Sequence, residues 1–510
     1  MSDTAPAALR ALPDHPDADQ LRRQARELLR GWQRGDPAAL ARAAPYALPP
    51  PPRLAQAQLV IARELGWPSW ARLLDAVEMR RAQALDDAPY VERVLVLALG
   101  RGYAAPRPAQ ALAMLKARPR LNGVALRLLQ GDAAGVDPHE RVLPWKVPPL
   151  AIVAFSSLAT LGAEHEAALC AAADRLLQAG ADPNDGLADP EFPERPLPLL
   201  YGAVARARSV ALLQRLLAAG ADPNDNESLY HAVEQDDRRI VAAVAAAGAR
   251  WAGTNALFRQ LDFESLDHLQ QVLALGADPN ESSPGVEGGN RPLHHAVLRG
   301  RSTAHLELLV QHGADVAALD AHGHPLAWHA ARAGRSDVLA WLATHGQAAP
   351  QGLTERFLAA CAAADEPVAR ALLAEHPDLI ARLPPGDLAL LPEQAQRGVF
   401  PAVQLMLALG WPVHVPGPWE ASALNQAAFR GDAPMVALLL QHGARWFEKN
   451  GYGGAALGSC LHAGCHEPVA GGDYAEVLRL LLEDGAPLPE IDDHLTDEMR
   501  EVVETMEAAR

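Results

Sequence analysis

Apolar residues recur at helical spacing along most of the chain, and this pattern predicts helices. In the N-terminal part the apolar patterns lie at 21–32, 37–44, 54–65 and 70–77. The run from Pro49 to Pro52 interrupts them, because proline cannot continue a helix. Farther along, segments rich in Leu and Ala, both strong helix formers, alternate with short polar stretches. We therefore expect an all-α chain with short extended loops and no β-sheet core.

One short string punctuates the helical segments. The sequence Gly-Ala-Asp-Pro-Asn occurs in three identical copies, and looser copies begin at Gly248, Gly313, Gly346, His376, Gly410, Gly443 and Gly485. Glycine in the left-handed conformation ends a helix, and the proline that follows keeps the chain extended. We therefore assign the repeat-forming role to the anchors of the identical copies, which are Gly180, Asp182, Pro183, Asn184, Gly220, Asp222, Pro223, Asn224, Gly276, Asp278, Pro279 and Asn280.

The start of one repeat carries a family resemblance. Residues 291–296 read Arg-Pro-Leu-His-His-Ala, in which Pro292, Leu293 and His294 match the Thr-Pro-Leu-His-x-Ala signature of ankyrin repeats. Successive anchors are on average about 34 residues apart, which suits ankyrin and tetratricopeptide repeats alike, but the extended loop after the glycine favours the former. The chain thus resembles the ankyrin repeat family over about residues 85–486. The resemblance implies an ankyrin-repeat solenoid of about ten or eleven helix-turn-helix units.

Two segments lie outside the resemblance. We expect residues 1–84 to form an N-terminal helical module, and residues 487–510 to form an acidic C-terminal capping helix with Thr496 as its N-cap. A repeat array needs such terminal units, because its last repeat would otherwise expose an apolar face.

The charge of the chain limits its partners. The formal net charge is −17, which disfavours nucleic acid and anionic membranes and favours an unknown protein with a basic surface. The basic residues are nearly all arginine, which we interpret as the compositional bias of a GC-rich bacterium. Four cysteines are too few for a disulfide framework, and the N-terminal residues do not resemble a secretion signal. We expect a cytoplasmic monomer.

Two clusters carry candidate chemistry. Cys460, His462, Cys465 and His466 are all zinc-ligand types, but their spacing fits a zinc site poorly and Cys460 occupies the small buried position of a repeat helix. A second concentration contains the signature residue His294 with His295, His322, His324 and His329. It suggests a metal or acid-base site, although the repeat register favours structural roles. We predict no metal and no cofactor.

Enzyme motifs are missing from the sequence. It has no glycine-rich phosphate loop, no nucleophile elbow and no His-Glu-x-x-His pair. We therefore expect no enzyme. A metal-dependent or enzymatic protein with a site near residues 460–466 is one alternative, and an immunity or antitoxin protein that binds a basic protein is another.

The resemblance implies a scaffold that binds a macromolecule on its concave surface. That surface is formed by the first helix of each repeat and by the extended loops between repeats, which we call fingers. The expected contact residues are the polar residues of the fingers: Asp185, Asp189, Glu191, Glu194, Asp225, Asn226, Glu227, Glu287, Asp320, His322 and His324. Tryptophans that follow a stop glycine, Trp251, Trp411 and Trp446, are either binding residues or packing residues between repeats.

Overall fold

The computed structural model of this chain describes residues 12–13, 16–46, 48–102, 105–188, 193–282, 290–349, 351–490 and 495–509. Contacts between residues divide the chain into two compact units. Unit 1 contains Met1–Gln260 and Ala274–Ala277, and unit 2 contains Leu261–Leu273 and Asp278–Arg510.

Unit 1 begins with four helices that share an apolar core of their own. They are α1 Ala18–Gln33, α2 Pro37–Ala43, α3 Leu54–Glu64 and α4 Trp70–Gln83. The side chains of Asp17, Asp36 and Ser69 cap the starts of α1, α2 and α4. The apolar patterns of the first 80 residues therefore predicted these helices correctly.

The remainder of unit 1 consists of short helices and one hairpin. Its helices are α5 Asp87–Leu99, α6 Pro108–Ala117, α7 Val124–Leu129, α8 Pro149–Ala154, α9 Ala163–Gln178, α10 Leu199–Tyr201, α11 Val210–Ala218, α12 Ser228–Ala232, α13 Arg238–Ala246 and α14 Ala256–Gln260. The strands β1 Gly186–Leu187 and β2 Leu197–Pro198 pair antiparallel. After α10 the chain forms a π-helical turn at Gly202, where any side chain would collide with the ring of Phe155.

Unit 2 is built of helix pairs. Its helices are α15 Leu266–Ala274, α16 Pro292–Leu298, α17 Thr303–Gln311, α18 Leu326–Arg332, α19 Ser336–Thr344, α20 Leu353–Ala362, α21 Glu366–Glu375, α22 Pro385–Leu388, α23 Leu390–Arg397, α24 Phe400–Ala408, α25 Ala423–Arg430, α26 Ala433–Gln441, α27 Ala456–His466, α28 Tyr474–Glu483 and α29 Asp497–Ala509. The first helices of successive pairs pack on one another in the order α16, α18, α20, α23, α25 and α27. The fold is an all-α repeat solenoid, as expected.

The Asp-Pro-Asn string works in two parts. The aspartate caps its own turn, as where Asp278 Oδ1 accepts a hydrogen bond from the backbone of Asn280 at 2.8 Å. The asparagine joins the next repeat, because Asn280 donates to Gly313 O at 2.8 Å and accepts from Asp315 N at 2.8 Å. In unit 1, Asn184 makes the same two contacts with the loop that begins at Gly220. Gly313 adopts φ 97°, the left-handed conformation that the stop requires.

Tryptophans after the stop glycines pack between repeats. Trp411 is buried against Phe357, and its indole nitrogen donates to Leu388 O at 3.0 Å. Trp251 is buried in unit 1 and donates to Leu275 O at 3.0 Å. These two residues are therefore packing residues, and Trp446 also lies against the core of unit 2.

The C-terminal helix α29 packs on α28. Thr496 Oγ1 accepts a hydrogen bond from Met499 N at 3.2 Å, which confirms it as the N-cap. None of the helices in the described part of the chain is long and apolar enough to cross a membrane.

Candidate functional site

Arginines recur at the C-terminal ends of first helices in unit 2. Helices α18, α23 and α25 end at Arg332, Arg397 and Arg430, and Arg299 directly follows α16. A cation is favourable at a helix C-terminus because of the helix dipole. Since these first helices pack side by side, the repetition brings the arginines to one face.

That face forms an open groove, which we call the arginine groove. Its charged lining consists of five arginines and one glutamate, Arg299, Arg332, Arg335, Arg397, Arg430 and Glu393. Trp328, Val297, Leu298, Val399 and Pro418 supply apolar surface in the same groove. The groove therefore combines guanidinium groups with an aromatic ring and aliphatic side chains.

Arg332 is the fixed centre of the groove. It is 4% exposed, and its guanidinium contacts Asp387 Oδ1 at 3.0 Å and Glu393 Oε1 at 2.9 Å. Its carbonyl oxygen accepts hydrogen bonds from Gln394 and Arg397. Burial of this arginine is tolerated because two carboxylates compensate its charge.

The other arginines are less fully compensated. Arg299 contacts Asp262 at 2.8 Å, and Arg335 contacts Asp337 at 2.6 Å. Arg430 donates to Gln396 O at 3.0 Å, and in the described part of the chain no carboxylate lies within 4.0 Å of its guanidinium. Nε of Arg430 and Nη1 of Arg335 are buried and have no hydrogen-bond partner within the described ranges. Unmet donors of this kind are available to an anionic group.

Trp328 lines the groove and also contacts the neighbouring finger. The ring of His324 stacks on it at 4.0 Å with an interplanar angle of 8°, and the guanidinium carbon of Arg332 lies 4.7 Å from its centroid. Stacking and cation–π contacts hold the indole in one orientation.

The finger between α17 and α18 is organised around Asp320. Oδ1 of Asp320 accepts from the backbone amides of His322 and His324, both at 2.8 Å. Oδ2 lies 3.2 Å from His324 Nδ1 and 2.9 Å from His329 Nε2. Burial alone would raise the pKa of this carboxyl, but these hydrogen bonds lower it to about 2. Burial lowers the pKa of His329 to about 4.

Asp320, His324 and His329 could together hold a metal ion. Their donor atoms all lie within 4.8 Å of one another. Among the described residues, no other group of three His, Cys, Asp or Glu side chains comes so close together. His294 lies beside them, with its ring centroid 5.0 Å from that of His329. It is 1% exposed, and neither ring nitrogen has a hydrogen-bond partner in the part of the chain that the structure describes. Burial lowers its pKa to about 4.

The expected contact residues fall into three groups. Asp185, Asp225 and Asp320 are engaged within the protein, by Arg141, by the backbone of Ser228 and by the finger itself. The side chain of Asp320 is 2% exposed, so it is a poor contact residue, contrary to expectation. Glu194, Asn226 and His322 are exposed, while Glu227 and His324 are partly exposed. Asp189, Glu191 and Glu287 lie outside the described residues.

The cysteine-histidine cluster lies on helix α27. Cys460 is fully buried, its sulfur lies 3.5 Å from Tyr474 O, and burial raises the pKa of its thiol to about 12. His462 and His466 are one helical turn apart, with ring centroids separated by 5.4 Å. Cys460 thus has the structural position that the repeat register predicted.

Comparison with known proteins identifies the class of repeat. Residues 257–351, which include α16 to α19, match the family model of ankyrin repeats in three copies. The chain is therefore a repeat protein that contains ankyrin repeats. Among solved structures, the human ASB11 ankyrin repeat domain is 22% identical and covers 45% of this chain and 98% of its own, with a TM-score of 0.22. No curated protein matches the chain.

Sequence reasoning missed the arginine groove. The signal was present as an arginine just before the turn glycine in three repeats of unit 2, in Arg299-Gly300, Arg397-Gly398 and Arg430-Gly431. Each arginine by itself is an ordinary helix-terminal cation, so the pattern gains meaning only when the repeats are aligned by their glycines.

Proposed function

We propose that the chain is a non-catalytic scaffold that binds a protein partner in the cytoplasm, as a monomer, through the arginine groove of unit 2. Ankyrin repeats generally mediate protein–protein interactions, and proteins of this kind are generally not enzymes. The observation that carries the proposal is the lining of the groove, which contains five arginines and Trp328. Tryptophan and arginine are the residue types most enriched where binding energy concentrates.

The chemistry of the groove favours an acidic segment of the partner. Guanidinium groups form paired hydrogen bonds with carboxylates, and the donors of Arg335 and Arg430 without a partner would gain one. The ring of Trp328 and the side chains of Val399 and Pro418 suit apolar residues placed between the acids. We infer an acidic segment with interleaved apolar side chains.

This partner differs from the basic one expected from the net charge. The value of −17 is a sum over the whole chain, whereas the arginines are concentrated at the ends of neighbouring first helices. The acids on which a basic partner would depend include Asp185, Asp225 and Asp320, and all three already have partners in the protein. The immunity or antitoxin alternative with a basic target is weakened for the same reason.

Nucleic acid is a poor alternative occupant. A nucleic acid is longer than the groove, so its phosphates would also lie near the rest of the chain. Because the net charge of the chain is −17, electrostatic repulsion would oppose this binding. A short segment with a few carboxylates needs only the local arginines.

Photo-crosslinking in the native host tests the scaffold proposal. A photoreactive amino acid at Gln396, in the groove, is compared with one at Val368, which is exposed on helix α21. We expect one specific protein to be crosslinked from position 396 and not from position 368. Equal labelling from both positions, or labelling from 368 alone, contradicts the proposed surface.

Charge reversal then tests the chemistry on the purified partner. Arg430→Glu alters the groove, and Arg370→Glu is the matched control because Arg370 is exposed on α21 and pairs with its helix neighbour Glu366. We expect Arg430→Glu to weaken binding at least about tenfold and the control to leave it within about twofold. A partner that binds both variants equally well shows that the groove is not its site.

A further inference from the structure

We propose that Asp320, His324 and His329 form a zinc-binding site at the base of the finger that precedes α18. The two imidazole nitrogens and one carboxylate oxygen are donor types that zinc prefers. The site is independent of the proposed partner, since it can be loaded and measured in the purified chain alone.

The distances suit a small divalent ion. In a tetrahedral zinc site with bonds of about 2.0–2.2 Å, neighbouring ligand atoms are about 3.3–3.6 Å apart. Oδ2 of Asp320 lies 3.2 Å from Nδ1 of His324 and 2.9 Å from Nε2 of His329. Both distances are shorter than that spacing, so the two rings must turn away from the carboxylate to admit the ion.

The three ligands lie close to their binding positions before any ion arrives. Asp320 uses only Oδ1 for the turn, which leaves Oδ2 directed at both imidazoles. His324 is fixed by stacking on Trp328, and His329 is fixed by its position on helix α18. Preorganisation of this kind lowers the entropic cost of binding.

Access and charge also suit an ion. The side chain of His324 is 37% exposed, so solvent reaches one of the three ligands and zinc could retain a water as its fourth ligand. Asp320 supplies one negative charge, and its side chain is 2% exposed. A positive ion would therefore interact with a carboxylate that is shielded from water.

His294 provides an independent indication. It is 1% exposed beside His329, yet neither of its ring nitrogens has a hydrogen-bond partner among the described residues. Buried polar atoms in folded proteins are nearly always hydrogen bonded. A polar group that enters from outside, such as a water bound to zinc, would satisfy this ring.

A purely structural interpretation makes a different prediction. If both imidazoles simply donate to Oδ2 of Asp320, the hydrogen bonds only stabilise the fold of the finger, and the cluster has no affinity for metal. The two interpretations are separated by direct measurement.

The experiment uses the full chain stripped of metal by a chelator. Zinc is titrated against a competing chromophoric chelator, and Co²⁺ is used as a probe because tetrahedral Co²⁺ has an intense visible absorption. We expect one ion per chain, and binding at least about tenfold weaker in His324→Gln and in Asp320→Asn. Asp320→Asn retains the Oδ1 acceptor that caps the turn, and helicity measured by circular dichroism confirms that each variant is folded.

Two controls identify the ligands. His322→Gln changes an exposed histidine of the same finger, and Cys465→Ser with His466→Gln changes the cluster on α27. Both controls are expected to bind zinc as the unaltered chain does. The proposal is overturned if the unaltered chain binds no ion, if His324→Gln binds as tightly as it, or if the α27 variant alone loses the ion.

Discussion

Oδ1 of Asn280 accepts a hydrogen bond from the backbone amide of Asp315 at 2.8 Å, and this bond joins two successive repeats of unit 2. The same side chain donates to Gly313 O at 2.8 Å. We expect Asn280→Ala to lower the free energy of unfolding of unit 2 by about 1–2 kcal/mol, because two hydrogen bonds are lost and one backbone amide loses its partner. Urea unfolding followed by circular dichroism measures the change.

The control for that variant is Gln311→Ala. Gln311 is exposed at the end of α17, and its side chain makes only a long hydrogen bond of 3.4 Å to Glu307. We expect a change within about 0.5 kcal/mol, as for other exposed positions. An effect of Gln311→Ala as large as that of Asn280→Ala would show that the asparagine bridge contributes little.

Because of His231, we expect unit 1 to become less stable at alkaline pH. Burial alone would lower its pKa, but Glu227 at 3.5 Å and Glu234 at 2.8 Å raise the pKa to about 9. A raised pKa in the folded state stabilises the fold fully below the unfolded pKa of about 6.5, and this stability is lost as the pH rises through about 9.

A comparison of His231→Gln with the unaltered chain tests this dependence. We expect the difference in unfolding free energy to decrease by about 3 kcal/mol between pH 6 and pH 10. A difference that is constant over that range would show that the two glutamates do not hold the proton on His231.

Removal of the Arg332 side chain should leave buried charge without compensation. Asp387 at 3.0 Å and Glu393 at 2.9 Å both contact this guanidinium. We expect Arg332→Met to lower the free energy of unfolding by about 3 kcal/mol, within the range for a broken buried ion pair.

Replacing the two carboxylates by neutral amides provides the control for the Arg332→Met variant. In the triple variant Arg332→Met, Asp387→Asn, Glu393→Gln, no carboxylate is left unpaired, and most of the lost stability is expected to return. If the triple variant is less stable than Arg332→Met, the loss arises from packing of the arginine stem and not from charge.

Thiol reactivity distinguishes the cysteines. Burial raises the pKa of Cys361 and of Cys460 to about 12, and it also raises the pKa of Cys170, while Cys465 is partly exposed. Because the thiolate is the reacting species, we expect one of the four thiols to react quickly with a disulfide reagent in the native chain. Cys465→Ser should remove that fast phase. A fast phase that survives the substitution assigns the reactive thiol elsewhere.

The sequence predicted the helices and their stops well, because both depend on local chemistry. The glycine before Asp-Pro-Asn and the apolar spacing of the first 80 residues act within a few neighbours. The four helices predicted in the first 80 residues agree in position with α1 to α4.

The candidate site was harder to predict, because it depends on which residues the fold brings together. Arg332 meets Glu393 across 61 positions of the chain, and no spacing rule relates them. Asp320 was predicted to face a partner because it lies in a loop, but the turn needs its carboxylate and draws it inward. Polarity along the sequence cannot distinguish a solvated carboxylate from one that organises a turn.

Arg332 also changes how unit 2 is expected to unfold. In an array where each repeat touches only its neighbours, opening can spread inward one repeat at a time from either end. Arg332 on α18 is bonded to α22 and α23, so it connects repeats on both sides of α20 and α21. Backbone amides of the enclosed helix pair should therefore exchange with deuterium together with those of α18 and α23, as one cooperative block.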